Sequence, residues 1–270
     1  MPPRSRSLWT SIASLTVIAI ALFILTYSVL SMDYEWNYAF LADYFWQPAE
    51  DGSTAGGRPG LLLEGLWGTI RISTVSIFFG TIWGIFLGLV LYYREPVSAA
   101  AAKLIVNIFR NTPLLVQLYV AYFVVGTAFS IEAEPAGILT LSLFCGAYIA
   151  EITRGQLQTF EKGQLEAAAS LGLSPLQTAI HIVLPQASRR MMPPLIGQFV
   201  SLVKDSSLVS VISIMELTKA GLNIVSVSFK SFETWFVIAA LYFVLNQLLA
   251  SLGARLEHYL SRSERSPEHD

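Results

Sequence analysis

Apolar stretches of about 20 residues, the length at which a helix crosses a hydrocarbon core of about 30 Å, constrain this sequence more than any other feature. The chain has 270 residues, of which 54% are hydrophobic and 13% are charged, whereas about 25% of residues are charged in soluble domains. Lipid is therefore its main solvent, and we predict an all-α integral membrane protein with about six transmembrane helices. The predicted crossings are about 8–30, 66–93, 113–130, 136–152, 194–214 and 234–253.

The basic residues predict the orientation of these crossings. With both termini in the cytoplasm, 12 Lys and Arg residues lie inside and 3 lie outside, as the positive-inside rule requires. Residues 31–61 then form an external loop, and 259–270 form a polar cytoplasmic tail. A cleaved signal peptide is the alternative for residues 1–30, because Arg4 and Arg6 precede the first apolar run. The run exceeds the usual 7 to 15 residues of a signal peptide, which favours a retained helix.

Three glycines, Gly80, Gly84 and Gly88, recur every fourth residue in the second predicted crossing. They form a small-residue stripe on one helix face, which lets another helix approach its backbone closely. The pattern favours packing within the chain over an interface between subunits.

The composition argues against several kinds of function. The single cysteine, Cys145, lies within an apolar run and offers neither a disulfide framework nor a metal cluster, so we expect it to be a packing residue. The net charge of −2 argues against nucleic acid as a partner. No group of acids, histidines or nucleophiles converges at one membrane depth, and no catalytic residue, metal or cofactor is predicted.

Residues 161–185 read as two short helices in water. Strong helix formers run from Glu161 to Leu171, and Gly172 can end that helix in the left-handed conformation. Ser174 then offers an N-cap, with Pro175 at the first helical position and Gln177 completing a capping box. We expect the second helix to end before Pro185, which lacks a backbone donor. The pair either docks another protein or packs on its own bundle.

The spacing of this segment resembles the EAA loop of the membrane subunits of bacterial ABC importers. It is carried by Glu166-Ala167-Ala168, then Gly172, then Ile182 to Pro185. Other segments resemble the polar amino-acid branch of that family: FRNTPLLVQLY (109–119), GAYIAEITRGQLQTFEKGQLEAAASLGLS (146–174), LPQASRRMMPPL (184–195) and KDSSLVSVIS (204–213). The resemblance covers about residues 62–258. It departs from the branch in its extra first crossing and in having Asn111 and Ser206 where Gly and Thr are common.

The resemblance implies a five-helix permease core, preceded here by one added helix, in the bacterial inner membrane. Two permease subunits, alike or related, would form the path for a polar amino acid. A dimer of ATPase subunits would bind the loop at about 155–190, and a periplasmic solute-binding protein would deliver the substrate. The residues expected to contact the ATPase are Glu166, Ala167, Ala168, Gly172, Ser174, Pro175 and Pro185.

The chain itself contains no G-x-x-x-x-G-K-[ST] stretch for binding nucleotide phosphates. Two alternatives stay open: a permease for another small zwitterion, such as methionine or an opine, and a passive channel.

Lys204, Asp205 and Ser206 are candidate residues of the substrate path. Lys204 and Asp205 fall near the middle of the fifth crossing, where an unpaired charge costs at least about 2.5 kcal/mol. As neighbours they point about 100° apart on a helix and cannot simply pair. They would suit the carboxylate and ammonium of an amino acid. Alternatively, each would form a structural ion pair with another helix, or the segment would be broken and partly interfacial.

Three further charges are predicted at the cytoplasmic ends of the helices. Glu151 and Arg154 lie one turn apart and are expected to form a local surface pair. Arg110, just before the predicted helix start at Thr112-Pro113, is expected to anchor that end at the membrane interface. His181 is interpreted as part of the second loop helix and not as a ligand.

Overall fold

The computed structural model describes residues 4–32, 34–48, 57–93, 95–160 and 162–262. The chain divides into two compact units, Met1–Ala39 and Phe40–Asp270. The first unit contains helix α1 (Arg4–Leu30), so a helix forms where the first crossing is predicted. Its described side chains from Ala13 to Tyr27 are all exposed, and most are apolar, as a lipid-facing helix requires.

The second unit is almost entirely helical, because a backbone in lipid must satisfy its own hydrogen bonds. A short antiparallel pair, β1 (Trp46–Gln47) with β2 (Arg58–Pro59), precedes the long helices. The helices are α2 (Ala42–Phe45), α3 (Leu61–Tyr93), α4 (Pro96–Asn111), α5 (Leu114–Tyr119), α6 (Thr127–Phe129), α7 (Ala133–Gln158), α8 (Lys162–Ser170), α9 (Pro175–Thr178), α10 (Leu184–Asp205), α11 (Leu217–Ser228) and α12 (Ser231–Arg262). Single π-helical segments, Val120–Gly126 and Ala179–Val183, join α5 to α6 and α9 to α10, and a 3-10 segment, Ser206–Ile212, follows α10.

Four stretches of the described chain are long and apolar enough to cross a membrane. A bent pair of helices, Pro96–Asn111 and Leu114–Phe129, makes a fifth if it counts as one crossing. The predicted all-α membrane fold is therefore confirmed, and the number of crossings stays approximate. The four stretches are Leu61–Tyr93, Ala133–Gln158, Pro175–Ile212 and Ser231–Tyr259.

The third predicted crossing, 113–130, differs in the structure. It is a short helical stretch that turns by 106° from α4, a helix that the sequence analysis treated as a loop. Thr112 is extended because the following Pro113 disfavours helical geometry in the residue before it. The side-chain amide of Gln117 donates to the carbonyl oxygens of Phe109 and Thr112 at 2.8 and 3.0 Å, which holds the corner together.

The glycine stripe of α3 lies directly against α7. A Cβ atom built on Gly80 would lie 2.9 Å from the carbonyl oxygen of Ser142, and one on Gly84 would lie 2.6 Å from that of Gly146. Gly88 meets α7 one turn further on. These distances are far below ordinary carbon–oxygen contact, so the two backbones approach as closely as they do only because the side chains are absent.

α7 is the central helix of the described bundle. Of the 18 consecutive residues that are most apolar in each helix, 61% are buried in α7, 33% in α3 and 11% in α12. One cluster of buried side chains joins α7 to α3, α5 and α10, and a second joins it to α3 and α4. Cys145 is fully buried in the first cluster, which confirms its predicted packing role. A third cluster joins α3, α11 and α12.

We predict that Gly84→Ala weakens the bundle, because the added methyl group would press on the carbonyl oxygen of Gly146 and on Ile149. Overpacking of this kind costs about 1–3 kcal/mol. Gly155→Ala on α7 is the matched control, since nothing lies within 4 Å of its added Cβ. Thermal unfolding in detergent should show a midpoint several degrees lower for Gly84→Ala alone. Equal midpoints for the two variants would contradict the close α3–α7 contact.

Candidate functional site

The segment between α7 and α10 presents one face to solvent and packs the other. Ala168 of α8 is 1% exposed, while Glu166 and Ala167 are exposed. Phe160 is buried before α8 begins, and the guanidinium of Arg190 on α10 lies 5.0 Å above its ring. The segment thus packs partly on its own chain and leaves Glu166 and Ala167 free to meet another molecule.

Gly172 ends α8 in the left-handed conformation, with φ of +78°. The N–H of Leu173 donates to the carbonyl of Ala168 at 3.1 Å, and that of Gly172 donates to Ala169 at 3.0 Å. This pair of hydrogen bonds is a Schellman motif, in which glycine avoids the steric penalty of a side chain. The structure confirms the predicted glycine-ended helix.

The predicted capping box at Ser174 is confirmed. The Ser174 hydroxyl accepts from the N–H of Gln177 at 3.3 Å, and the Gln177 side chain accepts from the N–H of Ser174 at 2.8 Å. Pro175 occupies the first turn, where its missing N–H leaves no bond unmade.

The predicted end of this second helix at Pro185 is wrong. The helix continues through Pro185, Pro193 and Pro194 and forms one stretch, Pro175–Ile212, of 38 residues. The π-helical turn Ala179–Val183 lies just before Pro185. Such a turn shifts the hydrogen-bond partners by one residue, so it accommodates the proline where a regular α-helix would break. The segment 166–185 is therefore a short helix joined at Gly172 to the start of a transmembrane helix.

This helix is longer than a membrane is thick. At 1.5 Å per residue its 38 residues extend about 57 Å, and a hydrocarbon core is about 30 Å thick. Roughly half of the helix must therefore lie outside the core. The first part, with α9 and Gln186, is the more polar, so we infer that this part projects from the core.

Apolar side chains are exposed on this projecting part and in the turn that precedes it. We call Leu171, Leu176, Ile180 and Leu184 the apolar row; they are 81%, 68%, 48% and 61% exposed. The last three recur every fourth residue, so they share one face of the helix. Exposed apolar patches mark contacts with a membrane or with a partner protein, and on a part that we infer to project from the core this row is a candidate docking site. This row was not predicted, although the spacing of its last three members is readable in the sequence.

The three candidate residues of the substrate path lie where α10 changes to the 3-10 segment. Lys204 is exposed and Asp205 is half-buried, and neither belongs to the ion pairs between described residues. Ser206 is fully buried, and its hydroxyl donates to the carbonyl of Val203 at 2.8 Å. Within the described part of the chain the two charges thus have no ion-pair partner, and Ser206 is directed into the chain.

A buried carboxylate that the sequence analysis missed fixes the start of α11. Glu216 accepts hydrogen bonds from the N–H groups of Thr218 and Lys219 at 2.8 and 2.7 Å and from the Tyr242 hydroxyl at 2.7 Å. Burial raises the pKa of Glu216 above its usual value, and the hydrogen bonds from these donors offset only part of that rise. The hydroxyl of Thr69 on α3 accepts from the N–H of Leu217 at 3.1 Å. Three helices therefore meet at this carboxylate.

The three predicted charges at the helix ends form one cluster. Arg154 donates to Glu151 at 2.6 Å, which confirms their local pair. Arg110 lies 3.6 Å from the same carboxylate, and its guanidinium is 5.4 Å from the centre of the Tyr148 ring. Arg110 thus ties α4 to α7.

The fold and the site together define a class of protein. It is a helical membrane protein in which one helix continues from the bundle into a projecting segment with an exposed apolar row. Such a segment fits a membrane component that works with another protein.

Comparisons with known proteins identify the family. The family described as "Binding-protein-dependent transport system inner membrane component" matches residues 80–262. The chain belongs to this family.

Individual proteins that are similar to this chain are transporter permeases. The glutamine transport system permease protein GlnP of Escherichia coli K12 is 36% identical over 200 residues, which cover 73% of this chain and 91% of the relative. The probable glutamine ABC transporter permease protein GlnP of Bacillus subtilis 168 is 38% identical over 73% of this chain and 92% of its own length. A crystal structure of an amino acid ABC transporter with histidines superposes with a TM-score of 0.69 at 33% identity, covering 74% of this chain and 94% of that one.

Proposed function

We propose that this chain is the permease subunit of an ABC importer that moves a polar amino acid into the cytoplasm across the bacterial inner membrane. Membership of the binding-protein-dependent family supports transport fed by a solute-binding protein. Relatives named as glutamine permeases and a solved amino acid transporter support the substrate class. A second permease subunit, either a copy of this chain or a related one, completes the path.

The observation that carries the proposal is the continuous helix Pro175–Ile212 with its exposed apolar row. An ATPase dimer binds the row together with Glu166 and Ala167. Movement of the ATPase subunits then shifts the projecting end of the helix as a rigid body, and its other end moves within the bundle. Ala168 holds α8 against the chain, while Gly172, Ser174, Pro175 and Pro185 shape the joint.

The distribution of basic residues supports a cytoplasmic position for this segment and for both termini. The external loop 31–61 then faces the solute-binding protein. ATP is hydrolysed by the partner, and this subunit carries no catalytic residue.

We test the function by transport. The chain is reconstituted in liposomes with its ATPase and its binding protein, and uptake of labelled glutamine and methionine is measured. We expect uptake of a polar amino acid only when ATP, ATPase and binding protein are all present. Flux of equal size without ATP or binding protein would establish a channel instead, and uptake of methionine alone would establish the other cargo.

We predict that Glu166→Lys uncouples ATP hydrolysis from transport, because it reverses the charge on the exposed face of α8. Uptake per ATP should fall by about tenfold, within the usual range of coupling free energies, while insertion into the membrane is unchanged. Glu257→Lys on the exposed end of α12 is the matched control.

Gly172→Pro should uncouple ATP hydrolysis from transport in the same way. Normal uptake by a fully assembled Gly172→Pro variant would contradict the coupling role of this segment.

Lys204 and Asp205 form part of the substrate path in this proposal. An exposed cation at this depth of the helix has to face water or protein, since lipid does not stabilise it. In the assembled transporter Lys204 would bind the substrate carboxylate and Asp205 its ammonium. Ser206 supports the helix end from inside the chain.

We predict that Lys204→Met lowers uptake by about tenfold, because a hydrogen bond to a charged group contributes about 1.5–3 kcal/mol. Lys204→Arg keeps the charge and should retain most of the uptake. The assembly of both variants is followed by size-exclusion chromatography. Normal transport by Lys204→Met would show that the residue does not bind substrate. Loss of assembly with the second permease would show a structural role instead.

A further inference from the structure

A polar cleft at one end of the bundle is used by nothing described so far. It has a volume of about 430 Å³, within the range of about 300–1,000 Å³ typical of small-molecule sites. Three helices line it, α3, α4 and α7. The lining includes Leu91, Lys103, Asn107, Glu151, Arg154 and Gln158.

The cleft lies at the level of a membrane interface. From Ile72 to Tyr93 the helix α3 carries no charged residue, and these residues extend about 33 Å, which matches one hydrocarbon core. Leu91 is therefore at the boundary of the core. Tyr92 and Tyr93 follow it, and Tyr93 is 70% exposed, as tyrosines at membrane interfaces are.

The charge around the cleft is positive. Glu151 is the carboxylate of the lining, and it is shared by two guanidinium groups, those of Arg154 at 2.6 Å and Arg110 at 3.6 Å. Lys103 is exposed and takes part in none of the ion pairs between described residues. The lining thus has one carboxylate and two cations, Lys103 and Arg154, with Arg110 pairing to the same carboxylate, which leaves an attraction for an anion.

An apolar surface adjoins this charge on the same helix. Ala102 and Val106 of α4 are buried against α3 and α7, while Lys103 and Asn107 face the cleft. Leu104 follows Lys103 by one position, and Ile108 follows Asn107, so this apolar pair lies about 100° around the helix from the polar pair. Leu104 is 62% exposed and Ile108 is 50% exposed. A ligand with an anionic head and an apolar tail would contact both surfaces at once.

We propose that this cleft binds the headgroup of an anionic phospholipid, with the phosphate between Lys103 and Arg154 and an acyl chain along Leu104 and Ile108. Arg154 is held in place by Glu151 and by Gln158, whose side-chain oxygen accepts from it at 2.8 Å. Asn107 supplies a further polar group. The lipid would fasten α4 to the end of α7, beside the segment that leads into α8.

The test uses the assembled transporter, delipidated in detergent and then given defined lipids, with binding measured by native mass spectrometry. Phosphatidylglycerol and phosphatidylcholine with the same acyl chains compare an anionic with a zwitterionic headgroup. Glycerol phosphate, which has the head without the tail, tests whether a small anion suffices. We expect phosphatidylglycerol to be retained in preference to phosphatidylcholine and not to be displaced by glycerol phosphate.

Lys103→Gln should weaken the retention of phosphatidylglycerol about fivefold, the contribution of one basic residue near an anionic surface, and Asn107→Asp should weaken it as well. Arg255→Gln is the matched control, because it removes one exposed positive charge from the end of α12, outside the cleft. Equal retention of the two lipids, or equal loss in Lys103→Gln and Arg255→Gln, would overturn the proposal. Displacement by glycerol phosphate would show a small-anion site instead. Retention by the isolated permease but not by the assembled transporter would show that a partner subunit covers the cleft.

Discussion

The close contact between α3 and α7 is the constraint on which the rest of the bundle depends. Helices in lipid gain little by burying apolar surface against each other, so their association needs close van der Waals contact. The stripe of Gly80, Gly84 and Gly88 provides it, because these residues bring the backbone of α3 onto that of α7. Further buried clusters then attach α4 on one side and α5 with α10 on the other. A fixed α7 gives the projecting segment a stable base, because that segment starts where α7 ends.

The segment from α8 to Leu184 joins this base to the helix that we propose moves during transport. α8 follows α7 after three residues and ends at Gly172, and the next helix runs without interruption from Pro175 to Ile212. The hydrogen bonds of the Schellman motif and the capping box fix the geometry of the joint between them. A partner bound to the apolar row would therefore act on the transmembrane helix directly and not through a flexible loop. The anionic lipid that we propose beside Arg154 would strengthen the base of the same segment.

Local features of this site were predictable from the sequence, and features set by tertiary contacts were not. Gly172 and Ser174 act through their own backbone and side chain, so the turn and the cap could be predicted from the residues alone. Pro185 was taken to end a helix, because nothing in the sequence indicates the π-helical turn that lets the helix pass through it. The helix α4 was missed for a different reason: it is amphipathic and lies beside the bundle, so it lacks the continuous apolar run of a crossing. Glu216 caps α11 locally, but its hydrogen bond from Tyr242 joins residues 26 apart, and no local pattern contains that distance.

The continuity of the helix from Pro175 to Ile212 also relates the two halves of the proposed mechanism. Lys204 follows Pro175 by 29 residues, so the two lie about 44 Å apart along the axis. Over that length a rigid tilt of about 10° displaces one end by roughly 8 Å relative to the other, and tilts of this kind are ordinary in rigid-body transitions. The π-helical turn at Ala179–Val183 and the prolines Pro193 and Pro194 are the places where such a tilt could be absorbed by bending. In the proposed mechanism these points have to stay stiff while a partner moves the apolar row, and the packing of Met191 and Leu195 in the main core cluster would supply that stiffness.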